Sequence, residues 1–180
     1  MSNEVKKRIL DSSDMGIRED EGVGVAEIVN SIKWALLVTQ GELETSGIKL
    51  KRIELNLKSI ASRKAGAGIR FQIPILGKLK IGSNVSYKSV QTISLVLNTP
   101  KTPTKDIIPS IGLDKNLKSL IMSLADGVKA AVDGNIPLEM GESWVELNFV
   151  LKSENEVSLI IETGFDAELT NSLKLFFEKI

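Results

Sequence analysis

The hydrophobic pattern changes period along the chain, and each change marks an expected element. Val25, Ile28, Val29, Ile32, Ala35, Leu36 and Thr39 fall within about 120° of one another on a helical wheel, which predicts an amphipathic helix stopped at Gly41. The period then becomes two. Ile53, Leu55 and Leu57 alternate with Glu54, Asn56 and Lys58, as in a strand with one buried face. Ile69, Phe71, Ile73 and Ile75 alternate with Arg70, Gln72 and Pro74, and Ile93, Leu95 and Leu97 form a third such run. A short fourth strand is expected around residues 78–88, where Leu79 and Ile81 alternate with lysines.

The stretch NTPKTPTKDIIPS, residues 98–110, holds Pro100, Pro103 and Pro109 and reads as a semi-rigid linker. A second helix is expected from the N-cap Asp114 to about Val132, with Leu117, Leu120, Leu124, Val128 and Ala131 as its apolar stripe and Gly134 as its end. Alternation returns at Val145–Phe149, Val157–Ile161 and Leu173–Phe177.

The second series repeats the first. Ile53-Glu54-Leu55-Asn56-Leu57 matches Val145-Glu146-Leu147-Asn148-Phe149 at an offset of 92, which also carries Ile28, Ile32 and Leu36 onto Leu120, Leu124 and Val128. The next strand matches at 88 and the last at 80, as shorter hairpins would require. The expected fold class is therefore α+β: two tandem divergent units, each a helix packed on an antiparallel sheet in α-β-β-β order. Residues 1–21 would be a flexible arm, 22–100 the first unit, 101–112 the linker and 113–180 the second unit.

The segment Ala65-Gly66-Ala67-Gly68 raises the question of a phosphate-binding loop. Such a loop joins a strand to a helix whose N-terminus faces the anion, whereas here an alternating strand stands on either side. The glycines supply the positive φ of a hairpin turn instead. These pieces (AEIVNSIKWALL, IELNLKSI, KAGAGIRFQIPILGKLKIGS and VQTISLVLNTP) resemble the second type of trypsin-co-occurring domain over about residues 22–100. That bacterial module turns up beside trypsin-like proteases, nucleotide-dependent switches and other conflict-system components. The resemblance implies an α+β module without demonstrated catalysis that recruits or couples effectors in defence. Trp34 departs from it, standing where a polar residue is more usual.

Composition narrows the chemistry. Cysteine and histidine are both absent, which removes disulfides, thiolate nucleophiles, Cys/His zinc sites and Ser-His-Asp triads. No run approaches the roughly 20 apolar residues of a membrane span, and the N-terminus has no signal-peptide pattern, so a cytoplasmic protein is expected. Glu54 and Glu146, at matching positions, point to the solvated faces of their strands. Asp11, Asp14, Glu19, Asp20 and Glu21 lack calcium-loop spacing. No enzyme activity, cofactor or metal is expected.

The net charge is zero but uneven: residues 22–101 carry +8, residues 102–180 carry −6 and residues 1–21 carry −2. Lys49, Lys51, Arg52, Lys58, Arg63, Lys64, Arg70, Lys78, Lys80 and Lys88 make the first unit a candidate basic surface. Nucleic acid would suit it, but a single-strand binder also wants stacking aromatics, and Tyr87 alone was available on those strands. The acidic second unit is the simpler partner, within the chain or between chains of a homo-oligomer. Trp34 lies about 170° from the centre of the first apolar stripe, with Leu37 and Val38 on the same side, so these three form a candidate contact with the other unit or with a partner. The leading expectation is a non-catalytic protein-interaction or adaptor module in bacterial defence. A nucleic-acid-binding protein is the alternative, and a ligand pocket between helix and sheet a third reading.

Overall fold

The structure, a computed structural model, describes residues 21–64, 68–79, 90–99, 114–133, 135–136, 138–154, 156–159 and 167–180. The expected arm, most of the expected fourth strand, the proline-rich linker and Gly134 lie outside these residues.

Helix α1 (Val25–Thr45) buries Ile28, Ile32, Ala35, Leu36, Thr39 and Leu43. It does not stop at Gly41. A glycine inside a helix costs only about 1 kcal/mol relative to alanine, and the apolar stripe continues to Leu43. The end comes at Gly47, whose φ of 72° suits a residue without Cβ, with Ser46 and Gly47 donating to the carbonyls of Leu43 and Glu44. Helix α2 (Asp114–Val132) buries Ile121 and Ala125, with Leu120, Leu124 and Val128 half-buried beside them. The stripe thus keeps Leu120, Leu124 and Val128 and is turned toward Ile121 and Ala125.

Among the described residues seven strands form the sheet, and all of the pairings between them are antiparallel. They are β1 (Gly22–Gly24), β2 (Ile48–Lys64), β3 (Gly68–Pro74), β4 (Gln91–Asn98), β5 (Ser143–Ser153), β6 (Glu156–Leu159) and β7 (Asn171–Lys179). The short β1 went unexpected; it pairs with the end of β3, Val23 opposite Ile73. Lys64 pairs with Gly68, whose φ is 79°, so β2 and β3 pair antiparallel on either side of the AGAG segment, of which residues 65–67 lie outside the described ones. The alternation of β3 is only half used. Ile73 and Ile75 are buried, but Ile69 and Phe71 are exposed because the hairpin tip extends past the core.

Strand β2 organises the sheet. Its residues 52–56 pair with β4 and also with β7, which therefore lie on opposite edges of it, and residues 60–64 pair with β3. In the same way β5 pairs with β7 over residues 143–149 and with β6 from Phe149 onward. Strand β7 stands between β2 and β5 and ties the two halves of the chain into one sheet. The register of β2 against β7 shifts between Leu50 and Arg52. That bulge at Lys51 lets Ile48 and Leu50 face the core in one phase and Ile53, Leu55 and Leu57 in the other.

One apolar face results. Leu95, Leu55, Leu173 and Leu147 stand side by side across β4, β2, β7 and β5, and Leu97, Ile53, Leu175 and Val145 form the next row. Both helices pack on this face and on each other, so a single core cluster holds Ile28, Ile32, Ile121, Phe149 and Phe177 together. A smaller cluster gathers around Ile60 and Leu169. The turn after β3 also docks on β5: the Leu76 N–H donates to the Leu151 carbonyl at 2.9 Å, and Lys78 pairs with Glu154 at 2.6 Å.

Candidate interaction surface

Alternation dictates that the residues between the core positions share the other face of the sheet, on which no helix packs among the described residues. The registers align them in rows across β4, β2, β7 and β5. Asn98, Arg52, Phe176 and Trp144 form one row, Val96, Glu54, Lys174 and Glu146 the next, and Ser94, Asn56, Ser172 and Asn148 the third.

The first row is an aromatic and cationic cluster. The Arg52 guanidinium lies 4.0 Å from the Phe176 ring centroid and pairs with Glu54 at 3.0 Å. The Lys174 ammonium lies 4.7 Å from the Trp144 centroid and 5.2 Å from that of Phe176, and the two rings are 6.5 Å apart. Phe176 is covered by these neighbours, whereas Trp144 remains 52% exposed. Each such cation–ring contact contributes about 0.5–1 kcal/mol at an exposed site, so the cluster is held in shape without being sealed.

The third row is a polar ladder. The Ser94 hydroxyl donates to Asn56 Oδ1 at 2.7 Å, and Asn56 Nδ2 donates to the Ser172 hydroxyl at 3.3 Å. Asn148 stands directly opposite Ser172. Serine and asparagine therefore alternate strand by strand.

Two stretches of strand have one partner each among the described residues, and residues 160–166, which follow β6, lie outside them. Among the described residues β4 pairs only with β2, and residues 143–148 of β5 pair only with β7. Backbone donors and acceptors along such edges are a template for another strand. The exposed Val96 and Trp144 mark them.

The expected basic surface is divided. Lys49 pairs with Glu178 at 3.3 Å, and the Lys58 ammonium donates to the Thr92 hydroxyl at 2.9 Å. Lys78 is engaged with Glu154, while Lys51 and Arg70 are exposed. The side chains of Arg63, Lys64, Lys80 and Lys88 lie outside the described residues, as does Tyr87. The Lys49–Glu178 and Lys78–Glu154 pairs join the first half of the chain to the second, and Lys118 of α2 meets Glu42 of α1 at 3.0 Å. Exposed pairs of this kind contribute little stability, so they orient the halves more than they hold them.

Trp34 is half-buried and Leu37 exposed on α1; the Val38 side chain lies outside the described residues. Glu54 and Glu146 share the second row, separated by Lys174, on the outer face where alternation put them. No cluster of potential metal ligands occurs among the described residues. No helix among them is long and apolar enough to cross a membrane. Sequence reasoning missed Trp144. The signal was there, because Trp144 shares the parity of Glu146 and Asn148 in SWVELNF, which puts an indole on the polar side of a strand.

No curated protein and no solved structure matches the chain. The family model described as trypsin-co-occurring domain 2 matches residues 23–99, the stretch from β1 through α1, β2 and β3 to the end of β4. That match falls on the stretch whose sequence resembles the same family, and it covers less than half of the chain.

Proposed function

We propose that the chain is a non-catalytic protein-interaction module, an adaptor that recruits or couples a protein effector through the outer face and edge strands of its sheet. The observation that supports this most is the exposed Trp144 on the outer face of the sheet, set beside Lys174 and Phe176, with the exposed Val96 on the same face. An edge supplies affinity through main-chain hydrogen bonds, and its alternate side chains supply specificity. The family's co-occurrence with trypsin points to a protease-linked setting in bacterial defence. Trp34 and Leu37 offer a second contact, on the helical layer.

One observation favours a second reading, nucleic-acid binding. Lys174 and Arg52 surround a half-exposed indole on a sheet face, and a base can stack on such a platform. A single experiment separates the two. A photoreactive residue is placed at position 96, 144 or, as a control on the outer face of α2, 129, and the full chain is irradiated in its own cells. Adducts to one discrete polypeptide from positions 96 and 144, with none from 129, are the expected result. Adducts that nuclease removes would transfer the function to nucleic acid. Equal labelling at all three positions would overturn both readings.

A further inference from the structure

The tip of the β2–β3 ribbon is built unlike the rest of the sheet. Strand β3 keeps its apolar alternation from Ile75 back to Ile69, but the core takes only Ile75 and Ile73. Phe71 is left 48% exposed and Ile69 62% exposed. Their cross-strand neighbours are small or charged, Ala61 opposite Phe71 and Arg63 opposite Ile69. A strand that met only water here would turn polar once past the core. Strand β2 does so on the same face, running Leu57, Ser59, Ala61, Arg63, and β3 does not.

Charge is the second peculiarity of this region. From Leu55 to Lys105 the chain has nine lysines and arginines and no aspartate or glutamate. Lys58 and Lys78 are engaged with Thr92 and Glu154. Arg63, Lys64 and Arg70 fall on the ribbon tip itself, and Arg70 stands exposed between the two exposed apolar residues. Alternation sets Arg70 on the face opposite Ile69 and Phe71, so the tip is apolar on one side and cationic on the other.

We infer that this tip docks on an anionic lipid surface, with Ile69 and Phe71 entering the boundary between headgroups and acyl chains and the cations of the tip held at the lipid phosphates. The two peculiarities select this partner together. A nucleic acid would use the cations, but its bases stack on flat rings and give an isoleucine at the leading end nothing to do. A lipid interface takes aliphatic and aromatic side chains alike, and each cation near an anionic surface strengthens attachment about fivefold. Two apolar side chains are a weak anchor alone, and the acid-free stretch around them adds the second signal that stable attachment needs.

The contact is peripheral. It uses the helix-bearing side of the ribbon, whereas Val96 and Trp144 lie on the outer face of the sheet, so it goes beyond the interaction-module reading and does not depend on it.

The test floats the full chain with vesicles of phosphatidylcholine alone and of phosphatidylcholine with phosphatidylglycerol in equal parts. The Ile69→Thr/Phe71→Thr and Arg70→Glu variants are run beside it, with thermal unfolding as a folding control. The chain should float with the anionic vesicles and not with the neutral ones. The threonine pair should weaken binding about five- to tenfold, as loss of two half-exposed apolar side chains would. Arg70→Glu, a change of two charges, should weaken it roughly tenfold or more. Because the chain has no cysteine, Ile69→Cys carries an environment-sensitive dye at one place, and its emission should shift to the blue on anionic vesicles. The same dye on Ser123→Cys, at an exposed position of α2, should not respond. Failure to float with anionic vesicles, binding that neither variant weakens, or an unchanged dye at position 69 overturns the inference. A chain that ignores vesicles but binds an oligonucleotide, and loses it on Arg70→Glu, also overturns it and gives the cations to nucleic acid. Crosslinking from positions 96 and 144 is expected in either case, so the two readings fail separately.

Discussion

Leu173→Ala should lower stability by about 3–5 kcal/mol, the upper part of the range for a buried leucine. The side chain is fully buried in β7, opposite Leu55 of β2 and Leu147 of β5. Because β7 is hydrogen-bonded on both sides, its neighbours cannot collapse far into the space left behind, and the cavity persists. Domains of this size have about 5–15 kcal/mol in total, so the loss is a large fraction of it. Urea unfolding with an unchanged slope and a lowered midpoint is the expected reading. A loss under about 1 kcal/mol would mean that β7 does not sit inside the sheet.

Asn171→Ala is expected to cost about 2–4 kcal/mol by a different route. Asn171 is buried at the start of β7, where its Oδ1 accepts from the Lys58 N–H at 2.8 Å and its Nδ2 donates to the Phe149 carbonyl at 3.3 Å. One amide thus clamps β2 to β5 where β7 begins. Alanine removes the acceptor of the Lys58 N–H and one donor to the Phe149 carbonyl, and a buried group left unsatisfied costs about 1–3 kcal/mol. The measurement is again urea unfolding, accompanied by exchange of the Lys58 amide hydrogen. Faster exchange at Lys58 with little change elsewhere in β2 would locate the effect at the clamp. Unchanged exchange would place the side chain elsewhere.

Much of the secondary structure was legible because burial imposes a period. Ile53, Leu55 and Leu57 announced β2, and Val145 to Phe149 announced β5. What a period does not carry is register. Alternation is unchanged by a slip of two residues, so matching the last strands by pattern gave an offset of 80 and set Leu97 against Phe177. In the sheet Leu97 lies opposite Ile53, and Leu175 lies opposite both Ile53 and Val145. Nor could a local pattern reveal that β2 and β7, more than a hundred residues apart, lie side by side.

Punctuation misled at Gly41, where tertiary burial of Leu43 outweighed a weak helix breaker and left Gly47 to end α1. On the surface, Lys49 and Lys58 were legible as basic but not as engaged, because their partners Glu178 and Thr92 come from other strands. Trp144 was passed over because its neighbours gave no sign of Phe176 and Lys174, which β7 brings beside it.

The central claim is that β7 joins the two halves into one sheet over one core, and the chain's two tryptophans test it directly. Trp34 reports on the first half and Trp144 on the second, so the Trp34→Phe and Trp144→Phe variants each leave one fluorescent probe. Unfolding both in urea at a concentration too low for association should give coincident transitions, as one cooperative unit requires. Two separated transitions would show that the halves fold independently, which would contradict the shared sheet.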